Sequence, residues 1–443
     1  MVSNGSLSTA TTTLDALTTK LAQRNATVAV IGLGFAGFPQ AIEIAKCGFR
    51  VAGIDVDAGK VARISRGDSL SPDVPGEELR SLQREGRFSC STDFALVRDA
   101  DVAVACVPTP LGPSKQPDLK FVRRVAEGLR GKVRAGQLLL LESTVPPGTT
   151  RKVFLPVIEE AGLTVGEDAF LAFAPERIDP GNKQFPLQLI PRLVGGITPS
   201  CTTAAAQFYS MFVREVRPVS CPEVAEMSKN VENTFRFINI SFMNEMAILC
   251  DRMGISVWEV IQAASTKPFA FMPHYPGPGV GGHCIPIVPF YLESVAREHG
   301  MVAELIEAAG KVNDGMPAFV VDKLERELVK RGRQLKGAKI LVAGVTYKPD
   351  VPDLRESAAL NVLANLIDRG ARVSYYDPYV PEVTVAGRQL RSEAGLGSSL
   401  VDCGVVVTPH KAVDYDRLAA SCTFLFDTVN ALPRNFPGDV VKL

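Results

Sequence analysis

Short apolar segments alternate with amphipathic stretches over the first half of the chain. The segment ATVAVIGLGFAGFPQAIEIAKCGFRVAGIDVD reads as a strand, a tight glycine turn, a helix and a second strand. Further strand-like runs follow in DVAVACVPTP, QLLLLESTVPPG and DAFLAFAPERI, with helical stretches between them. This alternation predicts a parallel sheet that is covered by helices on both faces.

The pattern changes in the middle of the chain, from about residue 222 to residue 331. EVAEMSKNVENTFRFINISFMNEMAILCDRMG and AAGKVNDGMPAFVVDKLERELVKRG have the period of helices and few strand signals. The strand–helix alternation returns in AKILVAGVTYKPD, ARVSYYDPYV, CGVVVTPHKAV and CTFLFDTVNAL. We therefore expect a flexible tail, an α/β domain, a helical central domain and a second α/β domain, over residues 1–25, 26–220, 221–332 and 333–443.

Length and composition indicate the number of domains and argue against nucleic-acid-binding and membrane proteins. At 443 residues the chain exceeds one ordinary hydrophobic core, so two or three domains are expected. Its 48 basic and 48 acidic residues cancel, which leaves no electrostatic signature of nucleic-acid or membrane-surface binding. No apolar run reaches the length of a membrane span, and the start lacks a signal-peptide core. Nine cysteines without metal-ligand spacing favour a reducing compartment, so we expect a cytoplasmic protein without a metal.

Gly32, Gly34 and Gly37 form a G-x-G-x-x-G pattern between a predicted strand and a predicted helix. The first glycine makes the turn, the second lets a pyrophosphate approach the backbone, and the third permits close helix–strand packing. The helix N-terminus adds amides and a positive dipole. Asp55 closes the second strand at the spacing of a carboxylate that binds a ribose 2′-hydroxyl. Because this carboxylate would repel a 2′-phosphate, NAD is favoured over NADP; a glycine turn without a ligand is the alternative.

One cysteine stands inside the glycine- and proline-rich stretch GPGVGGHCIPIVPFYL. Alone, Cys284 would read as a small buried hydrophobic residue. We expect Gly279, Gly281 and Gly282 to leave backbone amides uncovered while the prolines stiffen the loop, which suits a nucleophile beside an anion-binding backbone. A thiol with a pKa of about 8.5 is mostly protonated at neutral pH, so it needs a cationic or hydrogen-bonding neighbour.

Two other segments offer such groups. Lys229 and Asn233 are four residues apart in AEMSKNVENTFRFIN, so they share a helix face on which they can polarise an alcohol or hold an oxyanion. The alternative is a solvated surface lysine. Glu176 follows an apolar strand in FAPERIDPGN, where open α/β sheets bind ligands, although a surface ion pair would give the same pattern.

Seven motifs occur in order between residues 31 and 357: IGLGFAG, CVPTPL, ESTVPPGTT, APERIDPGN, AEMSKNVENTFRFINISFMNE, PGPGVGGHCIP and GVTYKPDVPDLRES. Together they resemble the nucleotide-sugar 6-dehydrogenases, the family of UDP-glucose and UDP-N-acetylhexosamine dehydrogenases. The segment KPFAFMPHYPGPGVGGHC resembles the N-acetylhexosamine dehydrogenases more closely than the shorter glucose dehydrogenases. The resemblance implies an α/β fold in which two Rossmann-like domains, one for NAD and one for the nucleotide sugar, flank a helical central domain that dimerises.

The resembled family oxidises a primary alcohol to a carboxylate in two NAD-dependent steps without releasing the aldehyde. A thiolate adds to the aldehyde, the thiohemiacetal loses a second hydride, and water cleaves the thioester. Cys284 matches the family's nucleophile, and Lys229 and Asn233 match the pair that stabilises the oxyanions. Glu176 matches the acid of the hydrolysis step, and Thr144 matches the threonine near the nicotinamide and the catalytic water.

The resemblance also assigns binding residues. Those expected around the cofactor are Gly32, Gly34, Phe35, Ala36, Gly37, Asp55, Lys60, Thr109, Thr144 and Arg355. Those expected around the nucleotide sugar are Glu176, Lys229, Asn233, Tyr275, Gly277, Gly279, Gly281 and Lys348.

Two positions depart from the family pattern. The family normally has an aspartate four residues after the cysteine, where this chain has Val288, which cannot accept a proton. General-base help is typically worth about 10²–10⁴ in rate. Val429 stands where many relatives have an arginine that contacts the nucleotide sugar.

A competent UDP- or dTDP-hexose 6-dehydrogenase is the leading interpretation of this sequence. A catalytically impaired nucleotide-sugar-binding pseudoenzyme and a two-electron hydroxyacid-type dehydrogenase stay as alternatives. The helical middle favours a homodimer or a larger homo-oligomer, and the sugar, the base and the pathway stay open.

Overall fold

The computed structural model describes residues 12–71, 74–178, 184–397 and 400–443. Within them the chain forms two compact units, of which one extends to Val231 and the other starts at Glu232. The boundary between the units falls inside a long helix. The predicted domain limits at residues 220 and 332 stay a prediction.

The first unit is built on alternating strands and helices. Its strands are β1 (Thr27–Ile31), β2 (Arg50–Ile54), β3 (Phe88–Ser91), β4 (Val102–Ala105), β5 (Leu138–Leu141), β6 (Phe170–Phe173), β7 (Arg192–Gly196) and β8 (Val216–Val219). Its helices are α1 (Thr13–Ala22), α2 (Gly37–Lys46), α3 (Ala58–Ser65), α4 (Gly76–Arg84), α5 (Lys120–Leu129), α6 (Leu155–Glu159) and α7 (Pro199–Tyr209), and α8 (Pro222–Met253) begins in it.

The strands of the first unit form one sheet in the order β3-β2-β1-β4-β5-β6-β7-β8 within the described residues. Neighbouring strands pair in parallel, except for the antiparallel pair β6 and β7. β4, β5 and β6 are buried at every position, which explains their continuous apolar runs. The strand order reverses between β1 and β4, and open α/β sheets bind ligands at the carboxyl ends of strands beside such a reversal.

The second unit begins with helices and ends with a smaller parallel sheet. Its helices after α8 are α9 (Val257–Ala264), α10 (Pro289–Glu298), α11 (Glu304–Lys330), α12 (Ala358–Asp368) and α13 (Tyr415–Ala420). Its strands are β9 (Lys339–Ala343), β10 (Arg372–Tyr376), β11 (Glu382–Val385), β12 (Arg388–Arg391), β13 (Val401–Val406), β14 (Cys422–Asp427) and β15 (Val440–Lys442). The sheet has the order β10-β9-β13-β14-β15, and β11 and β12 form a separate hairpin. The predicted fold class, two Rossmann-like α/β regions on either side of a helical middle, is confirmed.

The N-terminal segment departs from the expected flexible tail. Thr12 caps α1 through a capping box, and Leu17 and Leu21 on that helix are buried in the core of the first unit. The prediction of a flexible tail is therefore wrong for residues 12–25, because two leucines on one helix face provide enough apolar surface to dock the helix. Residues 1–11 of the predicted tail lie outside the described part of the chain.

None of the helices in the described residues is long and apolar enough to cross a membrane.

Candidate functional site

Five of the predicted site residues follow the carboxyl ends of strands in the first sheet. Gly32 follows β1, Asp55 follows β2, and Thr109 comes after β4. Thr144 comes after β5, and Glu176 comes after β6. Because these strands are mutually parallel neighbours, the structure brings all five residues to one edge of the sheet.

The three glycines after β1 have different surroundings. Gly32 has φ +97°, and a Cβ there would lie 2.2 Å from the carbonyl oxygen of Cys106. A Cβ at Gly37 would lie 2.0 Å from the carbonyl oxygen of Gly32, whereas a Cβ at Gly34 would meet nothing within 4 Å. The first and third glycines are thus required for the turn and for helix packing. Gly34 is the position at which the backbone is open to a ligand.

Helix α2 starts three residues after this open position, at Gly37. Its N-cap residue, Ala36, makes no side-chain cap, and Phe35 is exposed. The first amides of a helix have no partner within the helix, so an uncapped N-terminus beside an open backbone suits a phosphate group. These residues fit the pyrophosphate of NAD.

Asp55 stabilises the loop around the cofactor glycines. Its carboxylate accepts hydrogen bonds from the amides of Leu33 (2.9 Å) and Asp57 (3.0 Å). Lys60 Nζ lies 2.7 Å from the same carboxylate, so the structure brings together two of the predicted cofactor residues. A carboxylate has about four acceptor positions, which leaves one for a ribose hydroxyl.

Glu176 occupies an electrostatically mixed environment in the first unit. Burial raises the pKa of its carboxyl group above the ordinary value, and the charges of Lys229 and Arg192 oppose that rise. The Ile178 amide donates a hydrogen bond to the carboxylate and also lowers the pKa, whereas the charge of Glu142 raises it. A carboxyl group with a raised pKa keeps its proton to a higher pH than an ordinary glutamate does, which suits an acid–base role.

Sequence reasoning missed a buried polar cluster beside Glu176. Arg192 is 4% exposed, and its Nη1 donates to the carbonyl oxygen of Pro175 at 2.9 Å and lies 3.8 Å from Glu142 Oε2. Gln40 and Tyr209 both donate hydrogen bonds to Glu142. The signal in the sequence was a charged residue at the start of the otherwise apolar strand RLVGG, since such charges are rarely buried without a partner.

Helix α8 is hydrogen-bonded to the loop that carries Thr144. The carboxylate of Glu226 accepts hydrogen bonds from the amide (2.8 Å) and hydroxyl (2.6 Å) of Thr150 and from the amide of Gly148. Asn230 Nδ2 donates to the carbonyl oxygen of Val145 at 2.8 Å. Lys229 lies between these two anchoring residues on α8, partly buried. Burial raises the pKa of Glu226 to about 7, although these hydrogen bonds oppose the rise.

Cys284 lies at the start of a single helical turn in the second unit. Its carbonyl oxygen accepts the amide hydrogen of Val288 at 2.9 Å, and α10 begins at the next residue. Val288 is 1% exposed and occupies the N-cap position of α10 without making a side-chain cap. The chain's nine cysteines, all of which lie in the described residues, form no disulfide.

The glycines before Cys284 allow close packing rather than an open wall. A Cβ at Gly281 would lie 2.7 Å from the carbonyl oxygen of Glu356, and one at Gly282 would lie 2.9 Å from the ring of Tyr347. The Gly282 amide donates to the carbonyl oxygen of Arg355 at 3.1 Å. The expectation of an uncovered amide is therefore wrong for Gly282, because the segment after β9 packs directly on it.

Two asparagines fasten the predicted substrate loop. Asn244 Oδ1 accepts the amide hydrogen of Gly277 at 2.9 Å, and Asn313 Oδ1 accepts that of Val280 at 2.7 Å. Gly279 has φ +128°, a conformation that favours glycine. The loop's backbone is thus held at two points by helices α8 and α11.

The predicted substrate residues Asn233, Tyr275 and Lys348 lie on three different segments of the second unit. Asn233 is buried on α8, one turn after Lys229, and the ring of Tyr275 stacks on Trp258 with 6.5 Å between centroids. Lys348 lies in the segment after β9.

Arg355 and Val429 also belong to the second unit. The Arg355 side chain pairs with Asp353 at 2.6 Å. Val429 lies near Gly277, where an added Cβ would meet its Cγ1 at 3.7 Å. Each unit thus carries part of the predicted set, with the cofactor glycines, Thr144, Glu176 and Lys229 in the first unit and Cys284 and Lys348 in the second.

Comparison with known protein families matches three successive regions of the chain to three domains of one family. Family models of the UDP-glucose/GDP-mannose dehydrogenase family match three regions: its NAD-binding domain matches residues 26–213, its central domain residues 223–315, and its UDP-binding domain residues 341–434.

Individual relatives cover most of the chain. A UDP-N-acetyl-D-glucosamine 6-dehydrogenase of Pseudomonas aeruginosa is 36% identical over 80% of this chain and 83% of its own length. A UDP-N-acetyl-D-mannosamine dehydrogenase of Methanococcus maripaludis is 36% identical over 94% of this chain and 96% of its own. The solved structure of a UDP-D-ManNAc dehydrogenase from Pyrococcus horikoshii matches with a TM-score of 0.84 at 31% identity, over 94% of this chain and 99% of that one. The chain therefore belongs to the UDP-glucose/GDP-mannose dehydrogenase family and is an NAD-dependent nucleotide-sugar dehydrogenase.

Proposed function

We propose that this protein oxidises the C6 hydroxymethyl group of a UDP-N-acetylhexosamine to a carboxylate in two successive two-electron steps. The observation that carries the proposal is the helical turn at Cys284. The carbonyl oxygen of Cys284 accepts a hydrogen bond from the amide of Val288, the N-cap residue of α10. A dehydrogenase that stopped at the aldehyde would need no such nucleophile. The similarity to dehydrogenases of UDP-N-acetylglucosamine and UDP-N-acetylmannosamine supports an N-acetylated sugar, and the match to a UDP-binding domain supports uridine.

The first oxidation needs a cation near the reacting oxygen. Lys229 and Asn233, one turn apart on α8, hold the alkoxide that forms when the C6 hydroxyl loses its proton. NAD supplies the hydride acceptor in each oxidation. The glycine loop and the uncapped start of α2 hold its pyrophosphate.

The second oxidation passes through the cysteine. The Cys284 thiolate forms a bond to the aldehyde carbon, and the thiohemiacetal loses its hydride to give a thioester. Water then attacks the thioester carbon, the carbon–sulfur bond breaks and the thiol is regenerated. Glu176 moves a proton in that hydrolysis, and Thr144 orients the water. One alcohol, two NAD and one water give one carboxylate, two NADH and three protons.

Counting NADH per sugar tests this proposal. The protein is incubated with excess NAD and a limiting amount of UDP-N-acetylglucosamine, UDP-N-acetylmannosamine, UDP-N-acetylgalactosamine, UDP-glucose or dTDP-glucose. Two NADH per sugar and a product that has gained one oxygen atom and lost two hydrogen atoms, the change from CH2OH to COOH, support the proposal. One NADH would indicate a two-electron dehydrogenase, and none with any sugar would indicate a binding protein.

A cysteine variant separates the two oxidations. Cys284→Ser should release acid much more slowly than the wild type, because an alkoxide is a poorer leaving group than a thiolate. Cys221→Ser is the matched control, since Cys221 is also partly buried but lies outside the proposed machinery. Unchanged acid release by Cys284→Ser would refute the covalent route.

We also propose that the protein is a cytoplasmic homodimer. Phe235, Phe242 and Leu249 recur every seven residues on α8 and are 47%, 50% and 47% exposed. A heptad stripe on a long helix is suited to packing against the same helix of a second copy. The absence of disulfides among the nine cysteines supports a reducing compartment.

A further inference from the structure

A fully buried histidine lies behind the segment that follows β9. His410 is 0% exposed, and its Nδ1 accepts the amide hydrogen of Asp350 at 2.9 Å. A nitrogen that accepts carries no hydrogen, so the ring's hydrogen is on Nε2. Nε2 lies 3.0 Å from Asp377 Oδ2 and 3.3 Å from Thr346 Oγ1. The surrounding contacts thus fix both the tautomer and the orientation of this ring.

Nδ1 of His410 contacts the short loop of residues 346–350 directly, and the single hydrogen on Nε2 is shared between Asp377 Oδ2 and, more distantly, Thr346 Oγ1 in that loop. The Nε2 side reaches it through Thr346, whose hydroxyl donates to the carbonyl oxygen of Lys348 at 2.9 Å. The Nδ1 side reaches it through the amide of Asp350, a non-glycine residue with φ +61°. That conformation is uncommon outside glycine, although aspartate adopts it more readily than most residues. Lys348 therefore stands between two points that the histidine fixes.

The same loop is in contact with the cysteine loop. Tyr347 packs where the glycines before Cys284 have no side chains: a Cβ at Gly281 would lie 2.9 Å from Tyr347 Cβ. The rings of Tyr347 and His283 also meet edge to face, with 6.5 Å between centroids. A displacement of residues 346–350 would consequently move the backbone that leads to the proposed nucleophile.

We propose that His410 is a positioning residue for the nucleotide-sugar site: it fixes the loop that carries Lys348 and that packs against the cysteine loop. The inference rests on the proposed function only in assigning Lys348 to the diphosphate. His410 itself is fully buried and has no surface open to a substrate. It acts through Thr346 and Asp350, so its loss weakens binding of the uridine nucleotide and leaves the NAD region of the first unit unaffected.

Two variants each remove one connection. His410→Gln keeps an amide donor near the Nε2 position but loses the acceptor for the Asp350 amide. Thr346→Val keeps the β-branched shape but removes the hydroxyl between His410 and Lys348. Tyr415→Phe is the matched control, because the Tyr415 hydroxyl donates to the backbone carbonyl oxygen of His410, at 3.3 Å, and not to either ring nitrogen.

The first measurement is the affinity for UDP by calorimetry, which needs no turnover and so stays valid if the proposed oxidation is wrong. We expect a fivefold to tenfold weaker affinity, roughly the effect of one lost hydrogen bond, in His410→Gln and in Thr346→Val. The KM for the nucleotide sugar should rise by the same factor, while the KM for NAD stays within about twofold. Tyr415→Phe should bind UDP like the wild type.

A purely structural role predicts a different outcome. In that case the variants would lower the melting temperature, and UDP affinity at a temperature where they are folded would be unchanged; that result overturns the proposal. An equal rise in the KM for NAD and for the nucleotide sugar also overturns it. If His410→Gln does not fold, Thr346→Val decides alone, because its side chain keeps nearly the same volume.

Discussion

Replacing Gly34 by alanine should weaken NAD binding without weakening the fold, whereas replacing Gly37 by alanine should weaken the fold. An added Cβ at Gly34 meets nothing within 4 Å, and the residue is not in the left-handed region of φ. An added Cβ at Gly37 would lie 2.0 Å from the carbonyl oxygen of Gly32. Two alanines three residues apart in one motif thus probe binding and packing separately.

The expected changes in unfolding free energy and in NAD affinity follow from the surroundings of the two glycines. An exposed Gly→Ala change that causes no clash alters the free energy of unfolding by about 1 kcal/mol or less. A methyl group at Gly34 keeps a phosphate away from the loop, and a hydrogen bond to a charged group is worth about 1.5–3 kcal/mol. The dissociation constant for NAD should therefore rise by about 10- to 150-fold. At Gly37 the backbone must move, and such overpacking typically costs about 1–3 kcal/mol.

The assay combines urea unfolding without ligand and NAD titration by calorimetry on the same samples. Gly34→Ala should match the wild-type unfolding midpoint within error and show the weaker dissociation constant. Gly37→Ala should unfold at lower urea. NAD binding within twofold of wild type in Gly34→Ala would refute the assignment of this loop to the pyrophosphate. Equal destabilisation by the two variants would refute the packing argument.

Three further predictions concern other parts of the molecule. The pKa of Glu226, about 7 against an ordinary 4.5, means that its contribution to stability is present at low pH and is lost as the pH rises through about 7. Urea unfolding should show a loss of up to about 3 kcal/mol between pH 5 and pH 8 that Glu226→Gln abolishes, and a wild-type stability that rises over this range would contradict it. Val288→Asp should speed decay of the Cys284 thioester in single-turnover experiments with mass detection, and slower decay would show that the pocket has adapted to valine. Phe242→Glu should halve the mass in light scattering after gel filtration, and a wild-type monomer would refute the proposed α8 interface.

The strands, the helical middle and the glycine loop could be predicted from the sequence because each depends on neighbouring residues. The apolar runs of β4 to β6 and the spacing from Gly32 to Asp55 are local patterns that helix and strand periodicity explain. The docking of α1 was missed because a short helix with two buried leucines resembles a polar tail in composition.

Contacts between distant segments could not be predicted in this way. Glu226 bonds to Thr150 across 76 residues, and Arg192 reaches Gln40 across 152. Periodicity along the chain carries no information about such pairs, since they depend on how the elements pack. The same holds for Gly282, whose amide was expected to be uncovered but is covered by a segment more than seventy residues later.

Val288 illustrates how the structure changes the meaning of a substitution that the sequence only flags. The sequence shows that valine cannot accept a proton. The structure adds that the position is the N-cap of α10, one turn from Cys284, and that α10 has no side-chain cap there. An aspartate at this point would face the positive end of a helix dipole, which favours its ionised form and is typically worth about 0.3–1 kcal/mol. Burial at 1% exposure opposes that gain, because a carboxylate without water loses its solvation. The helix terminus offsets only part of this cost, so the rate of thioester decay in Val288→Asp measures whether the introduced carboxylate is ionised enough to assist the proposed hydrolysis.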